Sequence, residues 1–340
     1  PPLPREKHES YAPILSYYTS PEFADIPFPC GEDWMTAIGD FFPPKANPNY
    51  MKENAEDFKQ QIQQEADAVG KHPWEMKRAT AIFRGSGTGG GNTPEDNQRL
   101  KLHQLSEDWA KDDRYNGSST EDKMPYLDAA CTQWNFRDKK LKGEKMTFFR
   151  DMDVGLRKGG YINMFKQVKY KYHIYAEGHC AANRYAQMMR LGCVIIKVES
   201  RCKASELWFF PALVPYQDHV PVKEDLSDLA EQIEWCKTHD RECRQIAERS
   251  EELYKQLFSE EGVKDYCALI FNEISHRFHL GAASNPAPAA PGRPQAGPVV
   301  PPWNRVATGP KGMKVEAPSG GLQIPEGWLE CSEAGTPLLV

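Results

Sequence analysis

At 340 residues the chain is long enough for two domains with cores of their own. A net charge of −6 argues against nucleic acid as the main partner, and no apolar run approaches the roughly 18 residues of a membrane span. Nine cysteines without a close Cys-x-x-Cys pair exclude a zinc ribbon, and the odd count means at least one free thiol or an intermolecular bond.

The chain opens PPLPREKHES, with neither Met nor an apolar leader, so the expectation is a processed product or a piece of something longer. Residues 11–34 are short apolar stretches broken by prolines and read as a loop wrapping a domain edge. Residues 51–69 carry Phe58, Ile62 and Val69 at helical spacing, an amphipathic helix. ATAIF (79–83) reads as a strand and RGSGTGGG (84–91) as a glycine-rich turn. Thr93, Pro94 and Asp96 then mark a helix start, with Thr93 as N-cap. Strand, glycine loop and helix N-terminus together predict an anion site lined by backbone N–H groups. The loop also satisfies GxGxxG, but no ribose-binding acid follows about 20 residues on, as a dinucleotide fingerprint requires. Further on, MPYLDAA and MTFFRD are strand candidates. DDRYNGSSTEDK reads as an exposed loop holding the glycosylation sequon Asn116-Gly117-Ser118, a weak hint of a secretory route.

The strongest pattern runs from Val168 to Val198. Tyr170, Tyr172 and Ile174 alternate with Lys169, Lys171 and His173, a strand that stops at Gly178. AANRYAQMMRLG is a short helix closed by Gly192, and CVIIKV a buried second strand. In such a βαβ unit ligands sit beyond the carboxyl ends of the strands, within reach of Arg184. An aromatic loop around Trp208, Phe209 and Phe210 follows, then a short strand and three helices. Ile246, Ser250, Leu253 and Leu257 face inward on one helix; Val263, Cys267, Ile270 and Ile274 do so on the last. Cys236, His239 and Cys243 share a helical face, but without a fourth ligand they read as core cysteines beside an exposed histidine. From Gly281 the composition turns to Pro, Gly and Ala, a tail expected to order only on a surface, its own or a partner chain's.

FADIPFPCGEDW, AIFRGSGTGGG, KYKYHIYAEGHCAANRYAQMMRLGCVIIK and LWFFPALVPYQDHVPVKEDLSDLAEQI fall in the order seen in glycosyltransferase family 90. The chain resembles that family over residues 11–278. The group includes lipopolysaccharide-modifying, capsule-associated and protein O-glucosyltransferase branches. The resemblance implies an α/β, GT-B-like fold and a metal-independent, inverting transfer of a glucose- or xylose-class sugar from a UDP-sugar to a protein or glycan hydroxyl. It needs no cofactor beyond the co-substrate. Arg84, Gly85, Ser86 and Thr88 match the family's loop near the diphosphate. Arg184 matches the arginine that grips the phosphates, and Gly178 the glycine that admits the donor. Glu177, Glu206, Trp208 and Phe209 are candidate pocket residues. Where the protein O-glucosyltransferase branch has a second loop arginine, this chain has Gly87. Glu177-Gly178 stands where the capsule branch commonly has Asp-Gly. No aspartate occupies the family's base position, which Asp25 and Asp33 do not match.

The expected organisation is a shortened amino-terminal domain over 1–77, a Rossmann-type UDP-sugar domain over 78–258, a helix over 259–280 packing back, and the tail over 281–340. Eukaryotic relatives make the secretory lumen the expected location. The competing expectation is an inactive scaffold subunit of a larger assembly, motivated by the missing base and the tail.

Overall fold

A computed structural model describes residues 13–37, 72–134 except 92, 120 and 122, and 155–278. It also describes strand pieces at 306–308, 314–316, 330–331 and 337–338, which form two small antiparallel pairs. The helix expected at 51–69, the MTFFRD strand and most of the tail lie outside the described residues.

Among the described residues, seven strands and six helices build the body. β1 (Leu15–Ser16) and β2 (Ile26–Pro27) pair parallel to each other and lead into α1 (Gly31–Ala37). The main sheet comprises β3 (Arg78–Gly87), β4 (Leu127–Trp134), β5 (Tyr170–Tyr175), β6 (Val194–Val198) and β7 (Val220–Val222). These run parallel throughout, in the order β4-β3-β5-β6-β7. Between them lie α2 (Gln98–Trp109) and α3 (Arg184–Met189). After β7 come α4 (Leu229–Thr238), α5 (Asp240–Leu257) and α6 (Glu260–Phe278). With the strands renumbered from one, the order is 2-1-3-4-5, a doubly wound arrangement whose direction of winding reverses between β3 and β5.

Strand alternation sends side chains to two cores. Phe83, Tyr172, Ile174, Ile196 and Val220 join Leu102 of α2 and Leu229, Ile233 and Cys236 of α4. Tyr175 and Ile195 join Tyr185, Met188 and Met189 of α3, Val263, Ile270 and Ile274 of α6, and Ala24 and Ile26 of the amino-terminal segment. The helix α5 serves both, with Cys243 and Ile246 in the first and Leu253 and Leu257 in the second. Residues 13–30 are thus seated on the sheet's second face, secured by Tyr266 Oη donating to Pro27 O at 2.9 Å and by mutual backbone bonds between Thr19 and Glu206.

Two expectations need correction. α2 does not start at Thr93: residues 93–96 form a turn, and Asn97 is the N-cap. The glycine-rich turn is largely strand, because β3 continues through Arg84, Gly85, Ser86 and Gly87.

Candidate functional site

In doubly wound sheets a ligand crevice lies beyond the carboxyl ends of the strands where the winding reverses; at those ends of β3 and β5 the chain gathers glycine and arginine. On β3, Phe83 and Gly85 point to one face. A Cβ on Gly85 would stand 3.0 Å from Phe83 Cζ and 3.2 Å from an Arg184 guanidinium nitrogen. The missing side chain is what lets Arg184 lie over the strand, where its Nη1 donates to Arg84 O at 2.5 Å. Arg184 is the first residue of α3.

A second guanidinium, not singled out in the sequence, closes the floor. Arg99, in the first turn of α2, is only 5% exposed. Its Nη1 donates to Ser86 O at 3.0 Å and Thr88 Oγ1 at 2.6 Å, and its Nη2 and Nε to Ala176 O at 2.9 and 3.2 Å. Both guanidiniums lie near the Phe83 ring, 5.6 and 5.8 Å from its centroid. Among the described residues neither has a carboxylate within 4.0 Å. Burial, then the neighbouring Arg184 charge, bring Arg99 down to about 10, and burial lowers Arg184 too. Both remain cations at neutral pH. Each also sits in the first turn of a helix, where the macrodipole disfavours positive charge. An anion in the crevice would relieve both conflicts. The backbone N–H groups expected to do this are partly spent, since Asn97 Oδ1 accepts from Arg99 N and Leu100 N.

Gly178 permits the close meeting of the β3 and β5 ends. A Cβ there would stand 2.7 Å from Thr88 Oγ1 and 3.3 Å from Arg99 Nη2. Gly178→Ala is therefore expected to displace Thr88 and cost about 1–3 kcal/mol by overpacking. A urea titration reads this, and a loss under ~0.5 kcal/mol would mean that the contact yields freely.

Beside Gly178, Glu177 is 3% exposed and accepts from Ser200 Oγ. Burial pushes its carboxyl up to about 8, against the pull of Lys197 and Arg99. Glu206, raised by burial, faces the same Lys197, whose own pKa burial lowers. Cys202 Sγ donates to Gly178 O at 3.0 Å, fastening the 200–202 loop to the crevice floor.

The structure thus gathers Gly85, Ser86, Thr88, Gly178 and Arg184, with Glu177 and Glu206 alongside. Three expected residues fall elsewhere. Arg84 turns to the opposite face, where its guanidinium pairs with Asp128 at 2.6 Å and donates to Asp128 O. Asp128 lies opposite Ile82, so Arg84 runs back from the strand end and does not reach the crevice. Trp208 and Phe209 are core: Trp208 packs on Tyr266 and Phe258, Phe209 on Phe258 and Tyr185, and both are almost wholly buried. Trp208 Nε1 donates to Asp33 Oδ2 at 3.1 Å. Of the carboxylates weighed as bases, Asp33 also accepts from Cys30 N, and Asp25 accepts from Ser16 Oγ at 2.5 Å. Among the described residues no group of three His, Cys, Asp or Glu could hold a metal ion, and no helix is long and apolar enough to cross a membrane.

The fold is thus a doubly wound α/β sheet with two guanidiniums at its switch point that lack a carboxylate partner among the described residues. The sequence profile of glycosyl transferase family 90 matches residues 3–286, and the chain belongs to that family. It is similar to the uncharacterized protein 179R of Invertebrate iridescent virus 6, 34% identical over 276 residues, 76% of this chain and 22% of that protein. Human protein O-glucosyltransferase 1 is 24% identical over 270 residues, 78% of this chain and 58% of that one. Human protein O-glucosyltransferase 3 is 29% identical over 130 residues, 38% and 25% of the two chains. The chain spans about a quarter of the length of the viral relatives it matches. Among solved structures, Anabaena HepE in complex with UDP aligns at a TM-score of 0.29 and 9% identity, covering 61% of this chain and 43% of that one, too slight a likeness to argue from.

Proposed function

We propose that this chain transfers a glucose- or xylose-class sugar from a UDP-sugar to a hydroxyl of a protein or glycan, with inversion and without a metal, in the secretory lumen. The observation that carries the reading is the Arg184 guanidinium, spread over Gly85 at the switch point with no carboxylate to neutralise it among the described residues. A planar guanidinium suits a phosphate because its N–H fork engages two oxygens at once. As the acceptor oxygen bonds to the anomeric carbon, the bond from that carbon to the β-phosphate oxygen breaks and UDP leaves with the electron pair. The charge growing on UDP meets cations already fixed in place, which stabilise it without reorganising. Family membership and relatives named protein O-glucosyltransferases support glucose as the sugar and a protein as acceptor. The acceptor proton needs a base, and Asp25 and Asp33 are engaged elsewhere.

The test is calorimetric titration with UDP in excess chelator, followed by UDP release from UDP-glucose and UDP-xylose with and without acceptor. Binding and turnover that survive the chelator are expected. No binding at millimolar UDP would end the reading, and binding without turnover of any donor would favour the inactive scaffold.

A further inference from the structure

Arg99 touches neither donor nor acceptor in the reading above, yet its position makes little sense as a mere brace. A buried cation facing only neutral oxygens is an expensive way to tie two strands, since an uncharged donor would meet the same carbonyls. Four of the hydrogen bonds its guanidinium can donate go to Ser86 O, Thr88 Oγ1 and, twice, Ala176 O, spanning the strand ends on either side of the crevice. Its charge and that of Arg184 both stand beside the Phe83 ring, 5.6 and 5.8 Å from its centroid. The cation beside Arg184 comes from α2, since Arg84 of the glycine loop turns away to Asp128.

Resting on the diphosphate reading, we propose that Arg99 is a positioning residue. Its fork sets the spacing between β3 and β5, and its charge keeps the Arg184 guanidinium forward on Arg84 O, poised for the donor's diphosphate. Diphosphate binding then discharges two cations while touching one.

The test compares UDP and inorganic pyrophosphate affinity, at low and high salt, for the wild type, Arg99→Lys and Arg99→Met, with thermal melts alongside. Arg99→Lys keeps the charge without the fork and is expected to bind UDP about tenfold more weakly with an unchanged salt dependence. Arg99→Met loses both, with affinity down about 100-fold and a shallower salt dependence, because one fewer cation is screened. A purely structural role would lower the melting temperature of Arg99→Met and leave the salt dependence of UDP binding by its folded fraction the same as the wild type's. That result, or affinities within twofold of the wild type, overturns the proposal. Should Arg99→Met fail to fold, the lysine variant decides: a tenfold loss of affinity with a melting temperature within a few degrees of the wild type supports positioning, and an unchanged affinity, or a loss that comes only with a matching drop in melting temperature, overturns it. Arg184→Ala separates the two ideas. UDP binding lost there but intact in the Arg99 variants keeps the donor site and removes this role for Arg99; a wild type that binds neither probe removes both.

Discussion

Arg184→Ala is expected to weaken UDP binding about 100-fold while the protein melts within a few degrees of the wild type. A hydrogen bond to a charged group contributes about 1.5–3 kcal/mol, and each 1.4 kcal/mol is about a factor of ten in affinity. Losing a guanidinium that engages two phosphate oxygens falls at the upper end of that range. The fold should tolerate the change for three reasons. Among the described residues, its one side-chain hydrogen bond is to Arg84 O, which water can replace in a partly buried crevice. Alanine is the best helix former, and removing a cation from the first turn of α3 suits the macrodipole. Arg99 is also freed of a repelling neighbour. Arg184→Lys should recover part of the affinity, since it restores charge but not the fork. Calorimetry with paired melts reads all three proteins. UDP binding undiminished in Arg184→Ala would show that the phosphates lie elsewhere.

The route to Arg184 was legible because β5-α3-β6 follows simple periodicities. Tyr172 and Ile174 alternate with polar neighbours and enter one core, and VIIKV has the apolar run of a strand covered on both faces. Arg84 was misplaced by ending β3 at Phe83. Had the strand been carried through Gly87, its period of two would have put Arg84 on the face opposite Gly85, away from Arg184. A helix start at Thr93 hides Arg99, because it places the arginine well inside the helix in a run of polar residues. The signal available was an arginine in the first turn of a helix that follows a glycine loop, where a cation opposes the dipole and calls for a reason. Trp208 and Phe209 could not have been sorted from sequence. An aromatic pair lining a pocket and one filling a core have the same composition, and the difference lies in Phe258 and Tyr266, some fifty residues further along the chain.

Glu177→Gln is expected to stabilise the protein at pH 8.5 by on the order of 2–4 kcal/mol, and to change it little at pH 5. A glutamate ordinarily titrates near 4.5, and burial raises Glu177 to about 8. Between those values the unfolded chain releases a proton that the folded chain keeps. Stability therefore falls as pH rises through the window, by up to about 1.4 kcal/mol per unit, and levels off above 8. Glutamine preserves the oxygen that accepts from Ser200 and has no proton to lose. Asp218, raised by burial to about 6, titrates in both proteins and cancels from the difference between the two pH profiles, which therefore reads residue 177 together with Lys197 and Glu206, the neighbours that feel its charge. Urea titrations at pH 5 and 8.5 give that difference. The opposite outcome has its own physical meaning: if Glu177 were ionised and paired with Lys197, the glutamine would strand a buried ammonium and destabilise the fold at both pH values. The crevice adds a second readout. Ionised Glu177 sets a negative charge beside Gly178 and Arg99, so UDP affinity should decline above pH 8 in the wild type and hold steady in Glu177→Gln.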